Sequence, residues 1–164
     1  MYNYFYNYYD KYYDDKIPLK SIKKKKKKLK GIYIIVCNRK IFANNIKRPR
    51  KNKNYFKINE SFLKAKNKNI TNKKVLYIGC SNNLYDRVSK LKSVAFNYKK
   101  TRKGGYSLAY LDKEIKDKLY VYLISLNKYH KVFKTNMKLK DCELYEILYF
   151  EKEYGMLPFA NMKY

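Results

Sequence analysis

Residues 74–92 read KVLYIGCSNNLYDRVSKLK, an apolar run closed by a glycine and followed by a short polar turn and a segment with Leu84, Val88 and Leu91 at helical spacing. The aliphatic and aromatic residues of 74–79 suit a strand, and Ser81 or Asn82 offers a side-chain oxygen to cap the helix that follows. Upstream, residues 31–37 (GIYIIVC) form a continuous apolar, β-branched run of the kind that makes a well-buried strand. Downstream, residues 119–126 (LYVYLISL) alternate as a third strand should. Asp141 can cap a last helix running to about Tyr154, with Gly155 just past its end and Pro158 beyond. The order β, β, α, β, α predicts a small α+β domain built on one sheet, and no internal repeat is visible.

The flanks of this unit read differently. Residues 1–30 open with a Tyr/Asn/Asp-rich stretch (MYNYFYNYYDKYYDD) and continue as IPLKSIKKKKKKLK, without helix or strand periodicity, so a disordered tail is expected, with the domain over 31–164. The run Lys23 to Lys28 reads either as a solvated charge run or as a nuclear address or DNA-gripping arm. Residues 38–72 turn polar and basic and read as a long insertion, with one short helix near 60–66.

In 164 residues, 40 Lys and Arg stand against 13 Asp and Glu, a formal charge of +27 that points to an anionic partner, nucleic acid first. A chain so rich in Lys, Asn, Ile and Tyr also has the composition that AT-rich codons produce. Either origin leaves the same surface field, and binding should weaken steeply as salt rises. Three scattered cysteines and one histidine, His130, provide neither a disulfide framework nor a Cys/His zinc module. Any metal is then expected to be a hard, oxygen-bound ion, and His130 a surface loop residue. No apolar run approaches the ~18 residues of a spanning helix, and the N-terminus lacks signal-peptide order. The expectation is an intracellular protein, cytoplasmic or nuclear, with no membrane and no small-molecule substrate.

A period of two puts Ile32, Ile34 and Val36 on one face of the first strand and Tyr33 on the other, and likewise separates Leu76 and Ile78 from Tyr77. If the aliphatic faces share one core, the two tyrosines emerge together on the sheet's other face. Arg87 lies one turn from Leu84 and Leu91, at the edge of the buried stripe. On the last helix Leu144, Ile147 and Leu148 form an apolar stripe with Glu143 and Glu146 at its margin.

These residues carry a resemblance to the GIY-YIG nuclease superfamily: GIY at residues 31–33, YIG at 77–79, Arg87 ten residues after Tyr77, the helix ELYEILYFEKEYG, and a closing P-x-x-N at 158–161. In order, these elements span about 31–161 and are similar to phage and virus members of the superfamily. The resemblance implies a three-stranded antiparallel sheet flanked by helices, and a catalytic set of Tyr33, Tyr77, Arg87, Glu143 and Asn161. Glu143 is favoured over Glu146 as metal ligand because Ile147 and Phe150 follow it at i+4 and i+7. The insertion at 38–72 is longer than the family's usual connection.

The activity so implied is hydrolysis of DNA phosphodiesters with one Mg²⁺ or Mn²⁺ held by Glu143; paired cuts in a duplex would call for a homodimer. A carboxylate and phosphate oxygens suit a hard cation, and a guanidinium offers a fixed fork of donors where negative charge accumulates. A tyrosine with its ordinary pKa near ~10 is a poor base at neutral pH, so Tyr33, assigned to activating water, and Tyr77, assigned to orienting it, need cationic help. The alternative is a catalytically weak or inactive nucleic-acid-binding protein on the same fold. A homing enzyme's recognition domain and a junction resolvase's Cys-rich module are both absent from these residues, which leaves a stand-alone restriction-like, repair-type or mobile-element nuclease as the expectation.

Overall fold

A computed structural model describes residues 11–26, 28–39, 41, 45–46, 75–97 and 105–161. Four antiparallel strands form one sheet: β1 (Asp15–Pro18), β2 (Gly31–Cys37), β3 (Val75–Ser81) and β4 (Leu119–Ser125), in the order β1-β4-β2-β3. Helices α1 (Leu84–Asn97), α2 (Lys113–Lys116), α3 (Leu126–Phe133) and α4 (Leu139–Tyr154) complete the described elements, with 3₁₀ turns at Leu19–Ser21 and Tyr106–Tyr110. Among the described residues no helix is long and apolar enough to cross a membrane.

The sheet has four strands rather than the expected three, and the extra one comes from within the segment read as tail. Asp15 to Pro18 pair with Leu123 to Tyr120 of β4, and the following turn buries Leu19 and Ile22. Four residues containing a lysine and a proline give no periodic signal. Proline is tolerated here because β1 is an edge strand that ends on it. Residues 1–10 lie outside the described residues, as do most of the 38–72 insertion and the short helix expected at 60–66. Within that insertion Ile41 is buried, and Asn45 and Ile46 are tied to Asp112 and Leu111.

Strand alternation divides the core in two. Ile32, Ile34 and Val36 of β2 and Tyr122 and Ile124 of β4 face α3 and α4, while Tyr33, Ile35 and Cys37 join Val121 and Leu123 toward α1 and the 3₁₀ turns. The tyrosine face is therefore a second packed interior. In β3 the pairing slips after Ile35 and Tyr77, so that Val36 meets Val75 and Leu76 becomes the extra residue of a bulge. Leu76 thereby joins Tyr77 in the α1 core and does not share a face with Ile78, contrary to strict alternation.

Helix α1 buries Leu84, Val88 and Leu91 against the sheet, as their spacing predicts, and runs on to bury Val94 and Ala95 as well. Its cap is Asn83, not Ser81 or Asn82. Asn83 Oδ1 accepts from Asp86 N at 3.3 Å, and the Ser81 hydroxyl is instead spent on closing the turn through Asn83 N and O, both at 3.0 Å. Helix α4 begins at Leu139, with Asp141 inside its first turn rather than at its cap, and ends on left-handed Gly155 (φ 66°) as expected. Its buried face is also rotated from expectation. Cys142, Glu146, Ile147 and Phe150 are buried, while Leu144 and Leu148 are 41% and 45% exposed. His130 is helical, in α3, with its ring Nε2 2.8 Å from Met137 O, so it is not a loop residue.

Candidate functional site

Tyr33 and Tyr77 lie side by side under α1, with ring centroids 5.8 Å apart and planes 54° apart. Arg87, one turn into α1, reaches down between them: its Nε donates to the Tyr33 hydroxyl at 3.1 Å and a terminal nitrogen to the Tyr77 hydroxyl at 3.5 Å. The second contact is at the outer limit of a hydrogen bond, so Tyr33 is the tighter anchor. Arg87 is nearly enclosed, at 6% exposure. Burial works against the Arg87 cation, but the two phenol oxygens outweigh it and the net direction is up.

Both motif glycines are required by close approach rather than by unusual backbone angles. A Cβ at Gly79 would fall on the Tyr33 hydroxyl and ring, and one at Gly31 would fall on the Ile124 carbonyl of the neighbouring strand. Tyr33 and Gly79 are direct cross-strand partners, so the ring crosses onto the space that glycine leaves open.

Glu143 enters from the other layer, at the free edge of β3. Its carboxylate accepts from Cys80 N at 3.1 Å, from Cys80 Sγ at 3.1 Å and from Lys140 Nζ at 2.7 Å. Cys80 directly follows Gly79, so the Gly79–Cys80 peptide links the phenol and guanidinium cluster to the carboxylate. The next outward-facing residue of the edge is served by Asn161, whose amide accepts from Ile78 N at 2.9 Å and donates to Ile78 O at 2.8 Å. Ala160 N adds a bond to Leu76 O at 2.7 Å. The residues 158–161 thus clothe an edge strand that would otherwise present open backbone groups, and Asn161 is a backbone partner of the site's strand.

Glu146 is placed elsewhere. It is 1% exposed among the residues packed between α3, α4 and the sheet, where its Oε1 accepts from the Tyr129 hydroxyl at 2.7 Å. Burial pushes its carboxyl up to about 8. The folded protein therefore keeps a proton that the unfolded chain gives up near its ordinary value of about 4.3. Stability from this group is full below that value and is lost as the pH rises toward 8, on the order of 3–5 kcal/mol across the window. Denaturant midpoints of wild type and Glu146→Gln between pH 5 and 8 check this. The wild type should lose stability across the range relative to the variant, and parallel curves would refute a buried protonated acid.

Sequence reasoning missed Cys80 and Lys140. The lysine was legible as an i, i+3 partner of Glu143 on one helix; the cysteine had no signal beyond following YIG. Burial first, and then Glu143, push the Cys80 thiol up to about 12, so it stays a donor toward the carboxylate. Burial, the largest influence, also holds the Tyr33 phenol well above its ordinary range; Tyr77 adds to this and the Arg87 charge opposes it. So placed, the Tyr33 hydroxyl is a buried hydrogen-bonding anchor for the Arg87 guanidinium.

Among the described residues no group of three or more His, Cys, Asp or Glu side chains is placed to hold a metal together. Glu143, with a side chain 19% exposed, is a single hard donor, which fits an ion that keeps most of its water.

Fold and site define an α+β protein with a tyrosine–arginine cluster over one face of its sheet and a carboxylate on the adjoining edge. Set against protein-family models, curated proteins and solved structures, the chain has no match.

Proposed function

We propose that this chain is a metal-dependent endonuclease that hydrolyses DNA phosphodiester bonds in the manner of the GIY-YIG superfamily. The observation that carries the reading is the meeting of Tyr33, Tyr77 and Arg87 over Gly79, with Glu143 hydrogen-bonded to Cys80, the next residue. These residues come from β2, β3, α1 and α4, so their meeting is a product of folding and not of sequence proximity.

Arg87 supplies a permanent positive charge beside the two hydroxyls and, through them, to a phosphate bound at the Gly79–Cys80 edge. Tyr33 holds the guanidinium in place, and Tyr77, the more exposed of the two at 7%, orients water. Glu143 is the residue that would hold Mg²⁺ or Mn²⁺, with Lys140 and Cys80 setting its carboxylate orientation. The chemistry such an ion supplies when bound is neutralisation of charge on the phosphate and on the departing 3′ oxygen.

A second reading, a nucleic-acid-binding protein without activity, draws support from the Glu143 carboxylate being already engaged by Lys140 and Cys80. Supercoiled plasmid incubated with Mg²⁺ or Mn²⁺, and separately with EDTA, distinguishes the two. Wild type should nick in metal and not in EDTA, and Glu143→Ala should lose the activity while still binding. Binding without nicking in every sample overturns the nuclease reading.

A further inference from the structure

The lysine run that reads as part of a tail is instead a strap laid across the first turns of α1. At one end Ile22 is buried, at 2% exposure, and its carbonyl accepts from Lys92 Nζ at 3.2 Å. At the other, Leu29 O accepts from Leu84 N at 2.8 Å and Lys30 O from Leu126 N at 2.9 Å, after which the chain enters β2. Between the ends, Lys25 Nζ donates to the Tyr85 hydroxyl at 2.9 Å, sits 4.2 Å from the centre of that ring and pairs with Asp15 at 3.6 Å. The Tyr85 hydroxyl in turn donates to Asp15. Lys24 pairs with Asp86 at 3.5 Å.

We propose that residues 23–26 and 28–30 form a pre-set phosphate track that seats a nucleic-acid backbone across α1 and leads it to the Gly79–Cys80 edge. Lys23, Lys26, Lys28 and Lys30 are exposed. Asp15 and Asp86 are occupied by Lys25, Lys24 and Lys90, and Asp14, beside Ser125, by Lys128 at 3.9 Å, which leaves a local excess of positive charge. The track ends where the candidate site begins. Lys30 precedes Gly31, which pairs with Ser81, and Ser81 follows the Cys80 that holds Glu143. A strap held at both ends has already lost the chain entropy that a loose arm would lose on binding, so its charges act at lower cost. The inference rests on the nucleic-acid part of the function proposed above, not on catalysis.

The test uses the full chain, a fluorescein-labelled duplex of about 20 base pairs and EDTA, with anisotropy read between roughly 50 and 200 mM salt. One variant changes Lys23, Lys26, Lys28 and Lys30 to Gln. A second makes the same charge change on the opposite layer, at the exposed Lys131, Lys134, Lys138 and Lys152. With about 0.9 of slope per phosphate, the strap variant should reduce the slope of log K against log salt by roughly 3 and weaken binding about 100-fold, the control by much less. All four strap positions are exposed, so circular dichroism should show both variants folded. Equal losses in the two variants, or an unchanged slope in the strap variant, overturn the proposal. Stronger strap-dependent capture by phosphatidylserine vesicles than by duplex also overturns it. A wild type that shows the strap effect but never nicks plasmid retains the track and loses only the nuclease reading.

Discussion

Exchanging Arg87 for lysine is expected to lower plasmid nicking by about 100-fold or more while costing the fold only about 1–2 kcal/mol. The charge survives the exchange, so an effect of this size would come from geometry. Arg87 places two separate nitrogens on two hydroxyls, Nε on Tyr33 at 3.1 Å and a terminal nitrogen toward Tyr77 at 3.5 Å. A lysine ends in one ammonium on a flexible stem and cannot hold the same fork against both rings. The site is also nearly closed, so the replaced group cannot draw on water to fill the missing contact. Nicking rates at saturating plasmid, read beside thermal midpoints by circular dichroism, check both halves. An Arg87→Lys variant that nicks within about threefold of wild type would remove Arg87 from the proposed machinery.

Gly79→Ala should abolish nicking through a single added methyl. The added carbon falls on the Tyr33 hydroxyl, and Tyr33 is 1% exposed with Tyr77 beside it and Arg87 above it. The ring has no open direction to take, so strand or ring must shift, at about 2–3 kcal/mol. Because the Arg87 fork hangs from that hydroxyl, nicking should fall to background even where the protein remains folded at low temperature. Gly155→Ala provides the contrast. At φ 66° nothing lies within 4 Å of a new Cβ, so the cost is about 1 kcal/mol of left-handed backbone strain and nicking is retained. Equal nicking by the two alanine variants would mean that the close approach of Tyr33 to Gly79 has no functional role.

The parts legible in the sequence share a physical feature: they depend on neighbours within a few residues. GIYIIVC and VLYIG are apolar enough to be strands anywhere, α1 shows its stripe in Leu84, Val88 and Leu91, and Gly155 ends α4 because glycine takes the left-handed turn there without strain. Period-two alternation also placed Tyr33 and Tyr77 on one face. What escaped the reading depended on distant partners. β1 is a strand only because β4 offers an edge to pair with, and Leu76 changes sides because the β2–β3 register slips by one. The stripe on α4 was misplaced because Glu146, an acid, becomes a core residue once Tyr129 supplies a donor.

The candidate site divides along the same line. Its residue types and their order were set in the primary structure, and the resemblance they carry named Tyr33, Tyr77, Arg87, Glu143 and Asn161 before any coordinate. Tertiary structure alone separated Glu143 at the β3 edge from Glu146 in the core, gave Asn161 a backbone to bond, and buried Tyr33 beneath Arg87. The reason is that burial and hydrogen-bond partnership belong to pairs of elements far apart in the chain. A carboxylate one turn from another on a helix differs from it only in what the rest of the fold brings against each.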